Sequence, residues 1–257
     1  MSDFTHLHVH TEFSLLDGLS KISKLISRTK ENDQKSLAIT DHGSMYGCID
    51  FYKKALKEEV KPIIGCEIYV SATSRLEKKR QDAFHLLLLA LNKEGYENLM
   101  KIVTLGQTEG FYYKPRVDKE VLFQYHAGIA ATTGCPAGRV QRLLVSESYE
   151  AAKKETQELE QIFGSDKLFL ELQRHPYDKF ANAQGVPETV KNELLSHHQD
   201  NQLAEKGLIK LSRDLGLPLI ATNDVHYVDK GDAPAQDAIV CIQTGKFISD
   251  TNRLRYI

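Results

Sequence analysis

Disulfide chemistry is the first thing this chain is short of. Its 257 residues include four cysteines, Cys48, Cys66, Cys135 and Cys241, and no two of them form a CxxC pair. So few and so scattered, they fit a reducing cytosol better than a disulfide framework, and a cytoplasmic location is expected. Taken singly, each reads as a small buried hydrophobe, a reading kept for Cys48 and Cys241. An excess of charge is also missing. The formal net charge is −2, so bulk charge draws the chain neither to nucleic acid nor to a membrane, and a charged partner must be met by a local patch. No apolar run is long enough to span a bilayer, and no basic segment followed by an apolar one opens the chain. Neither a membrane role nor a secretory signal is therefore expected. Internal repeats and low-complexity stretches are absent as well.

What is present is an ordinary apolar fraction, enough for a sizeable core in one large α/β domain or two smaller ones. Short apolar runs alternate with amphipathic stretches. The runs predict strands over Phe4–Val9, Ser36–Ile39, Pro62–Val70, Phe84–Leu91, Gly128–Thr132, Leu168–Leu172 and Leu217–Ala221. Between them, "LSKISKLISRT", "MYGCIDFYKKALKEE", "SYEAAKKETQELEQIF" and "NELLSHHQDNQLAEKGLIKLSRDLG" carry helical spacing. The last meets a stop signal at Gly216, with Pro218 beyond. That rhythm implies parallel strands with helices outside, in a barrel related to the (β/α) eight-fold type or in an open doubly wound sheet. Two stretches interrupt it, the basic "SATSRLEKKRQD" and the aromatic "TEGFYYKPRVDKE", and both read as loops. From Asp232 the tail has helical character and then stops without an end signal, as expected of a piece of a longer chain.

In parallel (β/α) folds, functional residues gather at the C-terminal ends of strands. Asp41 and His42 follow "SLAI", Glu67 follows "KPIIG", Cys135 follows "AGIAAT", and Asp224 and His226 follow "LPLIAT". The first strand itself, in "THLHVHTEFSLLDG", carries His6, His8 and His10 at a period of two, with Asp17 just beyond. Each has an ordinary explanation alone: turn chemistry for "TDHG", a helix cap for Asp17, half-exposed strand histidines for the H-x-H pair. Together they place the side chains that bind divalent transition metals at strand end after strand end. His85 fits this rule poorly, because it begins its apolar run. Either its strand runs against its neighbours or it reaches in from a loop. His6 is a candidate to orient a ligand. His175 is placed near a site rim, and His197 and His198 on a solvated helix face.

The set "HLHVHTEFSLLDG", "AITDHG", "IIGCEIYV", "HLLLLA", "TGC" and "ATNDVHYV" resembles the polymerase and histidinol phosphatase (PHP) family. More narrowly, "HTEFSLLDG", "LNKEGYENLMKIV", "GFYYKPRVD" and "CIQTGKFISDTNRLRY" resemble the PHP domains of bacterial replicative DNA polymerase III alpha subunits. The resemblance implies a distorted seven-fold (β/α) barrel, TIM-barrel-like, over residues 1–232. Residues 233–257 would begin a connection to a polymerase region that is not in this sequence. It also implies two or three divalent metal ions on nine positions: His8, His10, Asp17, His42, Glu67, His85, Cys135, Asp224 and His226. Histidine, carboxylate and thiolate together favour zinc, manganese or iron. The implied activity is metal-dependent phosphoester hydrolysis, extending to 3′–5′ exonuclease action on a DNA 3′ end, with other replisome subunits as partners. His10, Glu67 and Asp224 are the candidates for direct catalytic roles. Lys114, Arg139 and Arg174 are candidates for phosphate contacts, with Arg116 beside them, and Tyr112 and Tyr113 for base stacking. Two other readings remain: a metal-stabilised docking domain without chemistry, and a stand-alone phosphatase of small phosphomonoesters.

Overall fold

The computed structural model describes residues 4–146 and 148–256. The outermost ends of the two expected spans, residues 1–3 and Ile257, lie outside the described residues. In chain order the elements are α1 (Ile22–Glu31), β1 (Ser36–Ile39), α2 (Cys48–Lys57), β2 (Lys61–Ser71), β3 (Ala83–Ala90), α3 (Lys93–Thr108), β4 (Phe111–Tyr112) and β5 (Lys114–Val117). They continue as α4 (Lys119–Tyr125), β6 (Ile129–Thr132), α5 (Arg139–Val145), α6 (Tyr149–Phe163), β7 (Leu168–Gln173), α7 (Tyr177–Ala181), α8 (Glu188–Leu215), β8 (Leu219–Thr222) and α9 (Ala233–Thr244). Among the described residues no helix is long and apolar enough to cross a membrane.

The strands form one curled sheet in the order β4-β5-β2-β3-β6-β7-β8, with β1 on the free part of the β2 edge. β2 is long enough to serve two neighbours on that edge, pairing β1 through Ile64 and β5 from Tyr69. The stretch around His8 closes the curl. On one side Ala38 N and Thr40 N donate to the His6 and Val9 carbonyls, and on the other Val225 N and His10 N exchange bonds with His8 and Val225. Seven staves thus return to their start, as a seven-fold barrel requires.

That first stave is not the regular strand predicted over Phe4–Val9. A step of two residues, from Ala38 in β1 to Thr40 just past its end, spans three residues here, from His6 to Val9. The extra residue breaks the alternation, as a bulge does, and only an isolated bridge, Val9 to Val225, remains. His6 is consequently turned away from His8 and His10. Its ring lies edge-on to Phe4 at 4.9 Å, and no bond joins it to the histidines it was expected to orient.

The sheet is not all parallel either. β3 runs antiparallel to both β2 and β6. The basic stretch between β2 and β3 folds as a simple return rather than a helical crossover, and such a return forces the antiparallel sense. "TEGFYYKPRVDKE" is not a loop but the β4–β5 hairpin followed by the start of α4, whose N-cap Asp118 accepts from Val121 N. Pro115 hides it from a strand reading, since proline is tolerated only at sheet edges and bulges. The helix α3 was also unforeseen. Its glycines weaken helix propensity, yet a Cβ on Gly95 would stand 1.8 Å from the Gly128 carbonyl oxygen. Glycine there allows helix and β6 to approach.

The core has two parts. α1 turns Ile22, Leu25, Ile26 and Thr29 inward and meets α2 over β1, around Phe51 and Leu37. The larger part lies between the sheet and α3, α4, α5, α6 and α8. α8 ends where predicted, at Gly216, which takes φ 69°. All four cysteines are free and buried.

Candidate metal centre

The C-terminal ends of the parallel strands face one mouth. β1 delivers Asp41 and His42, β6 leads to Cys135, and β8 leads to Asp224 and His226. His85 joins them because β3 is reversed: its beginning lies where its neighbours end. That settles the choice left open by the sequence in favour of an antiparallel strand. Glu67 lies inside β2 rather than after it, at the level where β1 pairing has ceased. Asp224 takes φ 52°, a left-handed backbone that aspartate tolerates better than most residues.

All nine expected ligand positions converge. Glu67 Oε1 stands 3.2 Å from His8 Nε2 and 3.5 Å from Cys135 Sγ. Its Oε2 stands 2.7 Å from His42 Nδ1, 3.0 Å from His85 Nδ1 and 3.7 Å from His10 Nε2. Asp224 Oδ1 lies 3.2 Å from His8 Nε2, 3.1 Å from His10 Nε2 and 3.6 Å from His226 Nδ1. Asp17 Oδ2 lies 3.3 Å from His42 Nε2 and 3.9 Å from His226 Nε2. The His10 ring is stacked between those of His42 and His226, with centroids at 4.0 and 4.3 Å. Three overlapping groups of donors result: His8, His10 and Glu67; His42, Glu67 and His85; His10, His42 and His226.

Several of these atoms face one another without hydrogen-bond geometry. His42 Nδ1, Glu67 Oε2, Asp17 Oδ1, Asp224 Oδ1 and His226 Nε2 are buried and have no hydrogen-bond partner among the described residues. Orphaned donors and acceptors are costly in a protein interior, and here they point at shared space, as ligands of a cation do. The electrostatics show which donors are ready for a cation and which would have to give up a proton to it. Burial, reinforced by His42 and His226, pushes His10 down to about 3, which leaves a neutral imidazole. Burial opposes charge on His42 too, but the Glu67 and Asp17 carboxylates overcome it and raise it to about 10. Burial would protonate Glu67, yet His85, His42 and His8 hold it well below the usual carboxylate range. Burial and the Glu67 carboxylate push the Cys135 thiol well up, so thiolate needs a neighbouring cation. A set of this kind fits divalent transition metals, with histidine, carboxylate and sulfur donors combined.

Residues not singled out from the sequence orient the donors. Glu171 on β7 accepts from His8 Nδ1 at 2.7 Å and is itself held by the Thr132 and Thr222 hydroxyls. This is the usual carboxylate behind a metal-binding histidine. An acid in the middle of the apolar "LFLELQ" was the available signal. Asp41 accepts from Thr11 N at 2.6 Å and from Ser14 Oγ at 2.7 Å, which ties the His10 segment to the end of β1. Asp17 is clamped from the tail: the Tyr256 hydroxyl donates to its Oδ2 at 2.8 Å and Gln236 Nε2 to its carbonyl at 3.1 Å. Residues 233–256, expected only to lead away, thus fold back over the mouth. Replacing Glu171 by glutamine is expected to weaken metal binding about 10–100-fold with little change in secondary structure. Isothermal titration with zinc against a competing chelator checks it, and wild-type affinity would show that Glu171 does not set the His8 ring.

A cavity of about 850 Å3 opens beside the cluster, with His42, His85, Cys135, Asp224 and His226 on its floor. That is room for a nucleotide-sized ligand. The candidate phosphate contacts fare unequally. Lys114 Nζ sits 4.4 Å over the Tyr69 ring, which neighbours His42 and His85. Arg139 is paired with Glu155 at 3.1 Å, and Arg174 with Glu205, so both charges are already answered within the protein. Arg116 is buried and donates to the Gly110, Lys79 and Glu77 carbonyls, which makes it a structural tie rather than a surface contact. The cations that do line the cavity are Arg142 and Arg255, the latter paired with Glu193 at 3.0 Å. His175 and His197 also line it, and His198 lies on the same helix as His197.

A family model described as the PHP domain matches residues 6–175. The chain belongs to the PHP family. This PHP domain is 45% identical to DNA polymerase III subunit alpha of Borreliella burgdorferi, over 99% of this chain and 21% of that protein. It is 40% identical to the subunit of the same name from Helicobacter pylori strain 26695, over 98% of this chain and 20% of that one. The PHP domain therefore spans about a fifth of the length of the curated relatives it matches. A solved structure from Bifidobacterium adolescentis, assigned as a metal-dependent phosphoesterase, overlaps 86% of this chain and 87% of its own, at 15% identity and TM-score 0.47. The α/β barrel with its curled sheet is the TIM-barrel-like PHP fold.

Proposed function

We propose that this PHP domain is a metal-dependent phosphoesterase that acts on phosphodiesters, with a DNA 3′ end as its substrate. The observation that carries the reading is the convergence of nine donor side chains beside one cavity, five of them lining it and five with buried atoms that lack a hydrogen-bond partner among the described residues. His8, His10, Asp17, His42, Glu67, His85, Cys135, Asp224 and His226 would hold two or three ions of zinc, manganese or iron. Such ions lower the pKa of water and polarise phosphoryl oxygens. Around them the protein's own groups do the positioning. Glu171 keeps the His8 ring in one orientation, Asp41 fixes the His10 segment, and Tyr256 holds Asp17. His10, Glu67 and Asp224 are assigned the catalytic roles; His10 Nε2 lies 3.1 Å from Asp224 and 3.7 Å from Glu67. Lys114 and Arg142 are placed to attract phosphate oxygens.

The relatives support a replicative setting. In that setting residues 1–232 are the hydrolase domain, residues 233–257 begin a connection, and the partners are a DNA 3′ end and other replisome subunits in the cytoplasm. The purified chain is expected to release nucleotides from 3′-mismatched DNA when manganese or zinc is supplied, and not after chelation. Activity that survives unchanged in His10→Ala or Asp224→Ala would come from a contaminant and remove the proposal.

A further inference from the structure

The two stretches that interrupt the strand–helix rhythm take no part in the metal centre, yet the fold sets them side by side. Lys78 Nζ donates to the carbonyl oxygens of Glu109 and Phe111, at the root of the β4–β5 hairpin. From beneath, the buried Arg116 guanidinium donates back to the Glu77 and Lys79 carbonyls at 2.9 and 3.3 Å. A basic loop is thereby tied to an aromatic hairpin. Lys78, Lys79 and Arg80 are exposed on the loop. On the hairpin Tyr113 is 83% exposed, with the Tyr112 ring edge-on to it at 4.8 Å.

The hairpin turns at Tyr113 alone, since Tyr112 pairs directly with Lys114. Tyr113 takes φ 62° there. A bulky residue pays for that backbone, and glycine would not. Strain of this kind gathers where an unusual geometry is used, and here it holds an aromatic ring out into water. The hairpin also adjoins the centre. Lys114 Nζ lies over Tyr69, whose ring centroid is 5.1 Å from that of His85 and 6.0 Å from that of His42. A Cβ on Gly43, next to His42, would stand 2.6 Å from Pro115 Cγ. The large cavity begins beyond the same two histidines. A strand lying along the hairpin therefore reaches His42 and His85 before it enters the cavity.

We propose that the β2–β3 loop and the β4–β5 hairpin form a track for single-stranded nucleic acid. Bases stack on Tyr113 and Tyr112 while phosphates meet Arg80 and Lys114; Lys79 is already paired with Glu77 at 2.6 Å. Exposed aromatics interleaved with cations are the chemistry that binds unpaired strands, because every base offers a π face and every linkage a charge. With a net charge of −2, the chain has no bulk attraction to DNA, and a local patch supplies it. The track rests on the phosphodiesterase reading for its purpose, which is to feed a strand end to the cavity, but not for its existence.

Fluorescence anisotropy of a labelled oligothymidylate, in EDTA so that no strand is cut, tests the track by itself. The wild-type chain is expected to bind, and more weakly as salt rises. Tyr113→Ala is expected to weaken binding about tenfold. Arg80→Glu should flatten the dependence of log K on log salt by about 0.7, the share of one lost phosphate contact. Tyr113→Phe should keep the affinity. Tyr113→Gly should lose it while melting at the same temperature as wild type or higher, because glycine suits the turn; that pairing separates stacking from stability. Absence of binding by wild type, indifference to these variants, or equal binding of the same strand in a duplex would overturn the track. Hydrolysis of bis(p-nitrophenyl) phosphate with manganese present reports on the centre independently. A chain that cleaves it without binding oligothymidylate keeps the centre and loses the track, and the reverse result keeps the track and loses the centre.

Discussion

Glu67→Gln is expected to cost the protein most of its metal and nearly all of its hydrolytic rate at once. The Glu67 carboxylate is the one group in contact range of His8, His10, His42, His85 and Cys135 together, at 2.7 to 3.7 Å. Its two oxygens belong to two of the three donor groups. Glutamine has nearly the same shape, so the fold should stand. Its amide has one acceptor oxygen, and its NH2 would meet the imidazoles with hydrogens rather than lone pairs. It would therefore offer cations one donor atom where the carboxylate offers two. Several kcal/mol of charge stabilisation would go with them, about a thousandfold or more in rate. Elemental analysis per chain and a phosphodiesterase assay on the same samples check both halves. Wild-type metal content together with a wild-type rate would refute the shared role assigned to Glu67. Loss of rate with full metal content would make Glu67 a catalytic group and not a ligand.

The second large effect concerns stability. The centre buries Asp17, Asp41, Glu67 and Glu171 and holds Asp224 close by, against a cluster of imidazoles that cannot all carry charge. A cation bound to the folded chain and not to the unfolded one stabilises by mass action, about 4 kcal/mol when free metal exceeds its Kd a thousandfold. For a chain of this size each kcal/mol moves the melting temperature by roughly 2–4 °C. Dialysis against a chelator is thus expected to lower Tm by roughly 8–16 °C for each tightly held site emptied. Restoring zinc or manganese should recover it. His10→Ala, which removes a donor shared by two groups, should blunt the recovery. A melting temperature that ignores both chelation and metal would mean that the donors converge without binding anything.

The elements easiest to read from the sequence were those defined by their own neighbours. α1, α2, α6 and α8 follow their apolar spacing, and α8 stops at Gly216 because a left-handed residue ends a helix wherever the fold takes it. β1, β6, β7 and β8 were legible for the same reason, since a short apolar run bounded by turn residues is a local pattern. Two of the elements that were missed needed a distant partner. α3 contains glycines that local propensity counts against it, and Gly95 is explained only by the Gly128 carbonyl it packs on. The β4–β5 hairpin is held by its edge pairing to β2 and by the Arg116 tie, neither of which is visible in "GFYYKPRVD".

The candidate centre divides along the same line. The residue types and their places after apolar runs were set by the amino-acid order, because strand period and turn chemistry act over a few residues. Whether those side chains meet depends on strand direction and register, which long-range pairing decides. Reversal of β3 brought His85 to the mouth. One extra residue between His6 and Val9 turned His6 away from the donors it was expected to orient. Glu171 and Tyr256 entered it from 163 and 239 positions away along the chain. The sequence alone thus determined which donors exist and how each short segment would bend. Only the closed barrel decided which of them share a space, because contacts between residues far apart in the chain leave no periodic trace in either partner.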